Sequence, residues 1–299
     1  MPDSGDQHVL GSAEMGGPEL LSATAVKRGV LGMIRATHPL PALAVTVLVT
    51  AVASSRGARG WTLALVALST GAGQASVGWS NDYLDRERDR ASGRGDKPIV
   101  AGDVEARTAA VGALVAFPLG VGLSLPLGLA EAAVMLVAVG SAWLYNAALK
   151  STTASFVPYA VSFGLAPVYV WLATSDAFPP SWVVAGAALL GAAAHLLNVI
   201  PDLEADRATA VRGLPLRLGL KGSLLLACAV LGVVLALVLM ATGPPGAGQV
   251  AAAGVAASLI AGVILAGLRG RGRIGFRLTI AAAAAIVAVF LLSPDAVRL

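Results

Sequence analysis

The chain has 299 residues, of which 57% are hydrophobic and only 13% are charged, and its formal net charge is +4 at pH 7. A soluble globular domain is about a quarter charged, so this composition excludes an ordinary soluble protein and indicates a membrane protein. The one cysteine excludes a disulfide framework and a metal site built on cysteines.

The chain divides into a polar start and a long apolar remainder. Residues 1–26 are polar, Gly-rich and acidic, and they lack the basic start and apolar core of a cleaved signal peptide. We expect a disordered tail there, followed by one transmembrane domain over residues 27–299. Apolar runs of about 17–25 residues recur along this domain, which is the length that a helix needs to cross a bilayer. The runs are continuous and rich in Ala, Leu and Val, so alternating barrel strands do not fit.

The predicted fold is therefore all-α, a polytopic membrane helical bundle. We expect nine spans, at residues 30–53, 61–81, 108–125, 129–149, 156–173, 181–201, 220–241, 249–267 and 276–292.

Basic residues predict how the bundle is oriented. With the N-terminus inside, 18 of the 21 Lys and Arg residues fall on the cytoplasmic side, and only Arg56, Arg59 and Arg298 fall outside. We therefore expect a multi-pass protein of the cell membrane, with a cytoplasmic N-terminus and an external C-terminus. The basic residues are spread over several loops, which argues against a nucleic-acid partner.

An acidic motif occurs twice. The sequence NDYLDRERDR, residues 81–90, directly follows the second apolar run, and NVIPDLEADR, residues 198–207, follows the sixth. Both read N-x-x-x-D-x-x-x-D-R, and every matching position is 117 residues apart. Because four crossings separate the two copies, they have the same orientation. This indicates two parallel four-helix repeats, with a ninth helix added at the end.

The spacing of each motif predicts a metal site. Residues four apart lie on one face of a helix, so each motif forms a polar stripe at the cytoplasmic end of a span. Stacked carboxylates repel each other, and a helix C-terminus already carries partial negative charge, so a cation is needed. Oxygen ligands without Cys or paired His favour Mg²⁺, which completes its shell with water and phosphate oxygens. The predicted metal ligands are Asn81, Asp82, Asp85, Asp89, Asn198, Asp202 and Asp206.

Two facing carboxylate clusters with Mg²⁺ would form a diphosphate site, with the active site on the cytoplasmic side. The alternative is that solvated helix ends pair with nearby arginines, but two copies in the same register favour a functional site.

Cations near the motifs would complete such a site. Arg94 and Lys97 lie in the Gly-rich stretch 91–102, Lys150 follows the fourth span, and Arg212 follows the second motif. We expect these four side chains to bind diphosphate oxygens. The rival explanation is that they only obey the positive-inside rule.

A few polar side chains lie within the spans and are candidates for contact with an organic substrate. They are Gln74, Tyr145, Asn146 and His195. His195 precedes Asn198 by three residues and shares its stripe one turn deeper, although a lone intramembrane His is more often a packing residue. His38 and Arg35 lie near the start of the first span.

These motifs resemble those of the UbiA-type intramembrane prenyltransferases over about residues 27–292. NDYLDRERDR and the following DKPIVAG resemble the family's first aspartate-rich motif, N-D-x-x-D-x-x-x-D, and Asp202-x-x-x-Asp206 resembles the second. The segment from Tyr145 to Lys150 resembles the Tyr-and-Lys region, with four intervening residues in place of three. Asn198 stands where several relatives have Asp.

The resemblance implies a nine-helix bundle with a central cavity under a cytoplasmic cap. Two Mg²⁺ ions would hold an isoprenyl diphosphate, with its prenyl tail among the helices and open to lipid. We predict Mg²⁺-dependent transfer of the prenyl group to a small-molecule acceptor, which we expect to be aromatic. The predicted catalytic residues are Asp82, Asp85, Tyr145 and Asp202, and Gln74, Asn146 and His195 would contact the acceptor or the prenyl chain.

Three alternatives remain at this stage. A membrane terpene cyclase of the same family would use the same metal motifs without an external acceptor. A CDP-alcohol phosphotransferase also uses an Asp-x-x-x-Asp pair, but its D-G-x-x-A-R lead is absent. A cation transporter with parallel repeats should carry its carboxylates near the bilayer midplane, whereas these lie at predicted cytoplasmic ends.

Overall fold

The structure is a computed structural model that describes residues 18–200 and 213–293, with side chains from Val26 onward. The described residues form helices and connecting loops without a strand, which confirms the all-α class. The ten α-helices are α1 Pro18–Ala36, α2 Pro39–Ser55, α3 Gly60–Ala91, α4 Ala106–Ser124, α5 Leu129–Ala147, α6 Val157–Ser175, α7 Ser181–Asn198, α8 Leu214–Ala241, α9 Ala247–Leu268 and α10 Gly272–Leu291. A short 3₁₀ helix, Leu149–Ser151, follows α5.

Seven of the described helices, α4 to α10, are long and apolar enough to cross a membrane. The end of α1 and the whole of α2 meet the same criteria together as a bent pair, which raises the number to as many as eight. The chain is therefore a multi-pass membrane protein. α3 is not among these helices although it has 32 residues, because Ser, Thr, Gly and Gln interrupt its apolar part and its last third is charged. The count of nine spans, the repeats and the orientation stay predictions.

The first predicted span, 30–53, is broken in the middle. α1 ends at Ala36, α2 begins at Pro39, and the two axes meet at 60°. Pro39 lacks a backbone N–H and disfavours the α conformation at the residue before it, which explains why the helix cannot continue. His38 accordingly has left-handed backbone angles, φ 54° and ψ 67°.

α3 continues well past the predicted end of the second span at residue 81. It is helical to Ala91, so the whole first motif lies on a helix, as its spacing predicts. α4 packs closely along α3, since a Cβ at Gly120 would lie 3.0 Å from the carbonyl oxygen of Ser69. Small residues permit such close approach between membrane helices.

Candidate active site

The first acidic motif lies on a buried face of α3. Asp82, Asp85 and Asp89 are only 2%, 6% and 2% exposed. They are spaced three and four residues apart, so they follow one another along one side of the helix. A buried carboxylate is strongly destabilising unless it is paired with a cation and hydrogen bonded, so each of the three requires partners from nearby segments.

Asp82 has two partners, and the first comes from the loop that follows α3. Lys97 Nζ lies 2.6 Å from Asp82 Oδ1, and both side chains are largely buried. His38, at the break between α1 and α2, places Nε2 3.0 Å from the same oxygen. Asp82 Oδ2 is buried and has no hydrogen-bond partner in the part of the chain that the structure describes.

Asp85 is paired from two directions. Lys150, in the 3₁₀ helix after α5, contacts Asp85 Oδ1. Arg88, one turn further along α3, places Nη2 2.8 Å from Asp85 Oδ2. Lys150 was predicted from the sequence as a diphosphate ligand, whereas the contact of Arg88 was not predicted. Its spacing of three residues from Asp85 was the signal that could have indicated it.

Asp89 lies beyond the predicted end of the second span and is paired more loosely. Arg94 Nη1 lies 3.8 Å from Asp89 Oδ1. Burial raises the pKa of Asp89 above its usual value, and the positive charges of Lys97, Arg94 and Arg88 act in the opposite direction. A further cation close by would favour the ionised form of Asp89.

Asn81 and Asn146 join α3 to the end of α5. Asn81 Nδ2 donates to Asp85 Oδ2 at 3.2 Å and to Asn146 Oδ1 at 3.2 Å. Asn146 Nδ2 donates to Ser80 Oγ at 2.9 Å and to the carbonyl oxygen of Val77 at 3.0 Å. The side-chain amide of Asn146 thus connects α5 to α3 through hydrogen bonds.

An aromatic cluster lies beside this junction. The rings of Tyr145, Tyr159 and His195 are 5.0–5.5 Å apart between centroids. Asn198 Nδ2 donates to the Tyr159 hydroxyl at 3.2 Å, and His195 Nε2 lies 3.0 Å from Ser155 Oγ. Sequence reasoning named Tyr145, Asn198 and His195 but missed Tyr159, because a single tyrosine at the start of an apolar helix carries no motif.

His195 is 1% exposed, and its Nδ1 is buried with no hydrogen-bond partner among the described residues.

Gln74 is half-buried on α3, roughly two turns before Asp82. Three further predicted site residues, Asp202, Asp206 and Arg212, lie outside the described residues. The roles given to the site residues stay predictions.

The described residues include part of the predicted Mg²⁺ site, so their donor groups can be compared with those that Mg²⁺ prefers. Residues 26–200 and 213–293 contain no group of three or more His, Cys, Asp or Glu side chains arranged to hold an ion. The first motif nevertheless supplies oxygen donors of the kind that Mg²⁺ prefers, and the unpartnered Oδ2 of Asp82 is available for one. The donor chemistry fits Mg²⁺, with Asp202 and Asp206 as the predicted remaining ligands.

Comparison with known proteins identifies the class to which this helical bundle belongs. A model of the UbiA prenyltransferase family matches residues 42–273, and the chain belongs to this family. The family predicted from the two motifs is thus confirmed, and membership places the chain among prenyltransferase enzymes.

Two curated relatives are digeranylgeranylglyceryl phosphate synthases. The one from Natronomonas pharaonis is 31% identical over 217 residues, which cover 67% of this chain and 72% of the relative. The one from Thermococcus gammatolerans is 30% identical over 158 residues, which cover 52% of this chain and 57% of the relative. The chain thus aligns with less than two thirds of the Thermococcus protein.

Solved structures show the same fold. A UbiA homologue from Aeropyrum pernix K1, in its apo form, has a TM-score of 0.71 at 20% identity, and the match covers 83% of this chain and 96% of that one. A UbiA homologue from Archaeoglobus fulgidus bound to GPP and Mg²⁺ has a TM-score of 0.62 at 18% identity, covering 90% and 100%. The same homologue is also known bound to DMAPP and Mg²⁺.

Proposed function

We propose that this protein is a Mg²⁺-dependent intramembrane prenyltransferase whose donor substrate is an allylic prenyl diphosphate. The observation that carries the proposal is the buried face of α3, where Asp82 and Asp85 each meet a lysine from another segment, Lys97 and Lys150. Such a combination of carboxylates and cations can hold both a divalent ion and a phosphate group. The Archaeoglobus homologue with bound GPP and Mg²⁺ supports the same assignment.

The metal ligands in this proposal are Asn81, Asp82, Asp85 and Asp89 of the first motif and Asn198, Asp202 and Asp206 of the second. Mg²⁺, when bound there, would neutralise negative charge that develops on the leaving diphosphate.

The basic side chains near the carboxylates hold the diphosphate in this proposal. Lys97, Lys150, Arg94 and Arg212 bind the phosphate oxygens. The first three already face the carboxylates of α3, so they need only exchange one anionic partner for another when the diphosphate arrives. The carboxylates that lose these partners would be compensated by Mg²⁺, so no buried charge is left unpaired in the complex.

The reaction breaks the bond between the first prenyl carbon and the diphosphate oxygen, and the oxygen keeps the electron pair. A new bond forms between that carbon and the acceptor, which loses a proton. The rings of Tyr145 and Tyr159 would stabilise the allylic cation through their faces, and the surrounding apolar helices exclude water from it.

For the acceptor, we propose a glyceryl phosphate compound. The name of the curated relatives describes prenyl groups on glyceryl phosphate, and a charged phosphate on the acceptor would suit the basic residues at this end of the bundle. An aromatic acceptor is the second candidate, because the cluster of Tyr145, Tyr159 and His195 could stack against a ring. In both cases His195 and Gln74 are the proposed contacts, whereas the amide of Asn146 is bonded to Ser80, Val77 and Asn81 and has a structural role in this proposal. A cell-membrane protein with this end in the cytoplasm would have access to all of these substrates.

The test is diphosphate release by the purified protein in detergent. C10, C15 and C20 allylic diphosphates are offered with and without Mg²⁺, with a glyceryl phosphate acceptor, with an aromatic acceptor, and alone, and organic products are identified by mass. We expect release that requires Mg²⁺ and is lost in Asp85→Ala and in Asp202→Ala. Asp176→Asn is the matched control, because this exposed residue has a left-handed backbone that Asn also tolerates.

The acceptor that raises the release rate identifies the transferase reaction. A cyclised product formed without any acceptor would contradict the transferase function and support the terpene cyclase. Absence of release with every donor and acceptor, from a folded sample, would contradict the proposal and favour the transporter.

A further inference from the structure

His38 is held against Asp82 by the way the break between α1 and α2 packs on α3. Gly78 lies one turn before Asp82 on the same face of α3, and a Cβ there would lie only 2.7 Å from three backbone atoms of Thr37. The backbone of Thr37 therefore rests directly on Gly78, and the next residue reaches the following turn. Trp79 adds a second connection, because its Nε1 donates to the carbonyl oxygen of Met33 at 2.8 Å.

The backbone of His38 is strained, which indicates that its side chain has a function at this position. Its φ of 54° lies in the left-handed region that glycine favours. Such conformations persist where the surrounding structure holds them, and they cluster at functional sites. Here Pro39 prevents the helical alternative, and the contact between Thr37 and Gly78 fixes the position of the break.

The two oxygens of Asp82 differ in their surroundings. Oδ1 is 2.6 Å from Lys97 Nζ and 3.0 Å from His38 Nε2, whereas Oδ2 has no hydrogen-bond partner within the described residues. A carboxylate only accepts hydrogen bonds, so the contact with His38 is a hydrogen bond in the tautomer that carries the proton on Nε2; in the other tautomer Nε2 would accept from Lys97 Nζ, which lies 3.4 Å away. His38 and Lys97 together therefore fix the rotation of the carboxylate group and leave Oδ2 as its available oxygen.

We propose that His38 is a positioning residue, which holds Asp82 Oδ1 by an Nε2–H donor so that Oδ2 is presented to Mg²⁺. The inference rests on the proposed function, in which Lys97 exchanges Asp82 for a phosphate oxygen. After that exchange His38 is the partner that keeps Asp82 in place. Partners of metal ligands act in this way generally, and their loss weakens metal binding by about 10- to 100-fold.

The test uses three substitutions at His38. His38→Gln keeps an amide N–H donor at a similar reach, and His38→Leu removes the donor. His38→Gly removes the ring but favours the left-handed backbone, so it separates loss of the contact from misfolding. Mn²⁺ affinity of each metal-free protein is measured by the electron paramagnetic resonance signal of free Mn²⁺, without any prenyl diphosphate. The Mg²⁺ dependence of diphosphate release, the KM for prenyl diphosphate and the unfolding temperature are measured beside it.

We expect His38→Gly and His38→Leu to weaken Mn²⁺ binding about tenfold and to raise the Mg²⁺ requirement equally. At saturating Mg²⁺ the KM for prenyl diphosphate should stay close to that of the wild type, and His38→Gln should restore Mn²⁺ affinity. Unchanged Mn²⁺ affinity in a folded His38→Gly protein would overturn the proposal, as would a His38→Gln protein as weak as His38→Gly. A wild-type protein that binds Mn²⁺ but releases no diphosphate would contradict the proposed function. It would not contradict the role of His38, because the Mn²⁺ titrations of the variants decide that role separately.

Discussion

Lys97 Nζ lies 2.6 Å from Asp82 Oδ1, so a cation predicted to bind diphosphate is bonded to a carboxylate predicted to bind metal. The two residues come from different segments, and both are buried. The pair compensates two buried charges, and metal and diphosphate binding as proposed above would replace this contact.

The first prediction concerns the stability of this pair. Lys97→Met leaves the buried Asp82 with His38 as its remaining partner, so we expect a loss of about 3 kcal/mol in the free energy of unfolding. The double variant Asp82→Asn/Lys97→Met removes both charges, and His38 can still donate to the new amide oxygen. It should recover most of the stability while remaining inactive. Unfolding of the purified proteins in one detergent measures both effects, and a double variant no more stable than Lys97→Met would contradict the pairing.

The second prediction concerns Lys150. Lys150→Met should lower the rate of diphosphate release by about 100-fold, the typical effect of removing one group that stabilises developing negative charge. Lys150→Arg should keep part of the rate, because the charge is retained. Lys221→Met, an exposed position on α8, is the matched control for loss of one positive charge. If both methionine variants lost activity to the same extent, Lys150 would have no special role.

The third prediction separates structural from substrate roles at Asn146. Its amide is bonded to Ser80, Val77 and Asn81, so we expect Asn146→Ala to reduce the free energy of unfolding by about 2 kcal/mol. The KM for the acceptor should change little in the folded fraction of the sample. Unfolding temperature and initial rates over a range of acceptor concentrations provide the check. A large rise in acceptor KM without loss of stability would instead support the sequence-based assignment of Asn146 to acceptor contact.

The fourth prediction concerns Tyr159. Its ring faces Tyr145 and His195, so Tyr159→Leu should lower kcat about tenfold by removing one face from the allylic cation. Tyr159→Phe keeps the ring and loses only the hydrogen bond from Asn198, and it should retain most of the rate. Single-turnover release at saturating Mg²⁺ measures the chemical step. Equal loss in both variants would assign the role to the hydroxyl group and contradict a role of the ring.

Local features of the sequence were sufficient for the membrane class, the all-α fold and the family. Apolar runs of span length can only be helices in a bilayer, because every backbone polar group must find its partner within the segment. The spacing of Asp82, Asp85 and Asp89 likewise placed the three carboxylates on one face of α3, since the period of a helix is a local property.

Tertiary structure decided which groups meet at that face. The pairings of Asp82 with Lys97 and of Asp85 with Lys150, and the contacts of the Tyr159 ring with the rings of Tyr145 and His195, join different segments. His38 reaches Asp82 across 44 residues of sequence, because Pro39 breaks the first span and Gly78 lets the break rest on α3. The spacing of residues along the chain does not predict such contacts, since they depend on how closely the backbones of packed helices can approach each other.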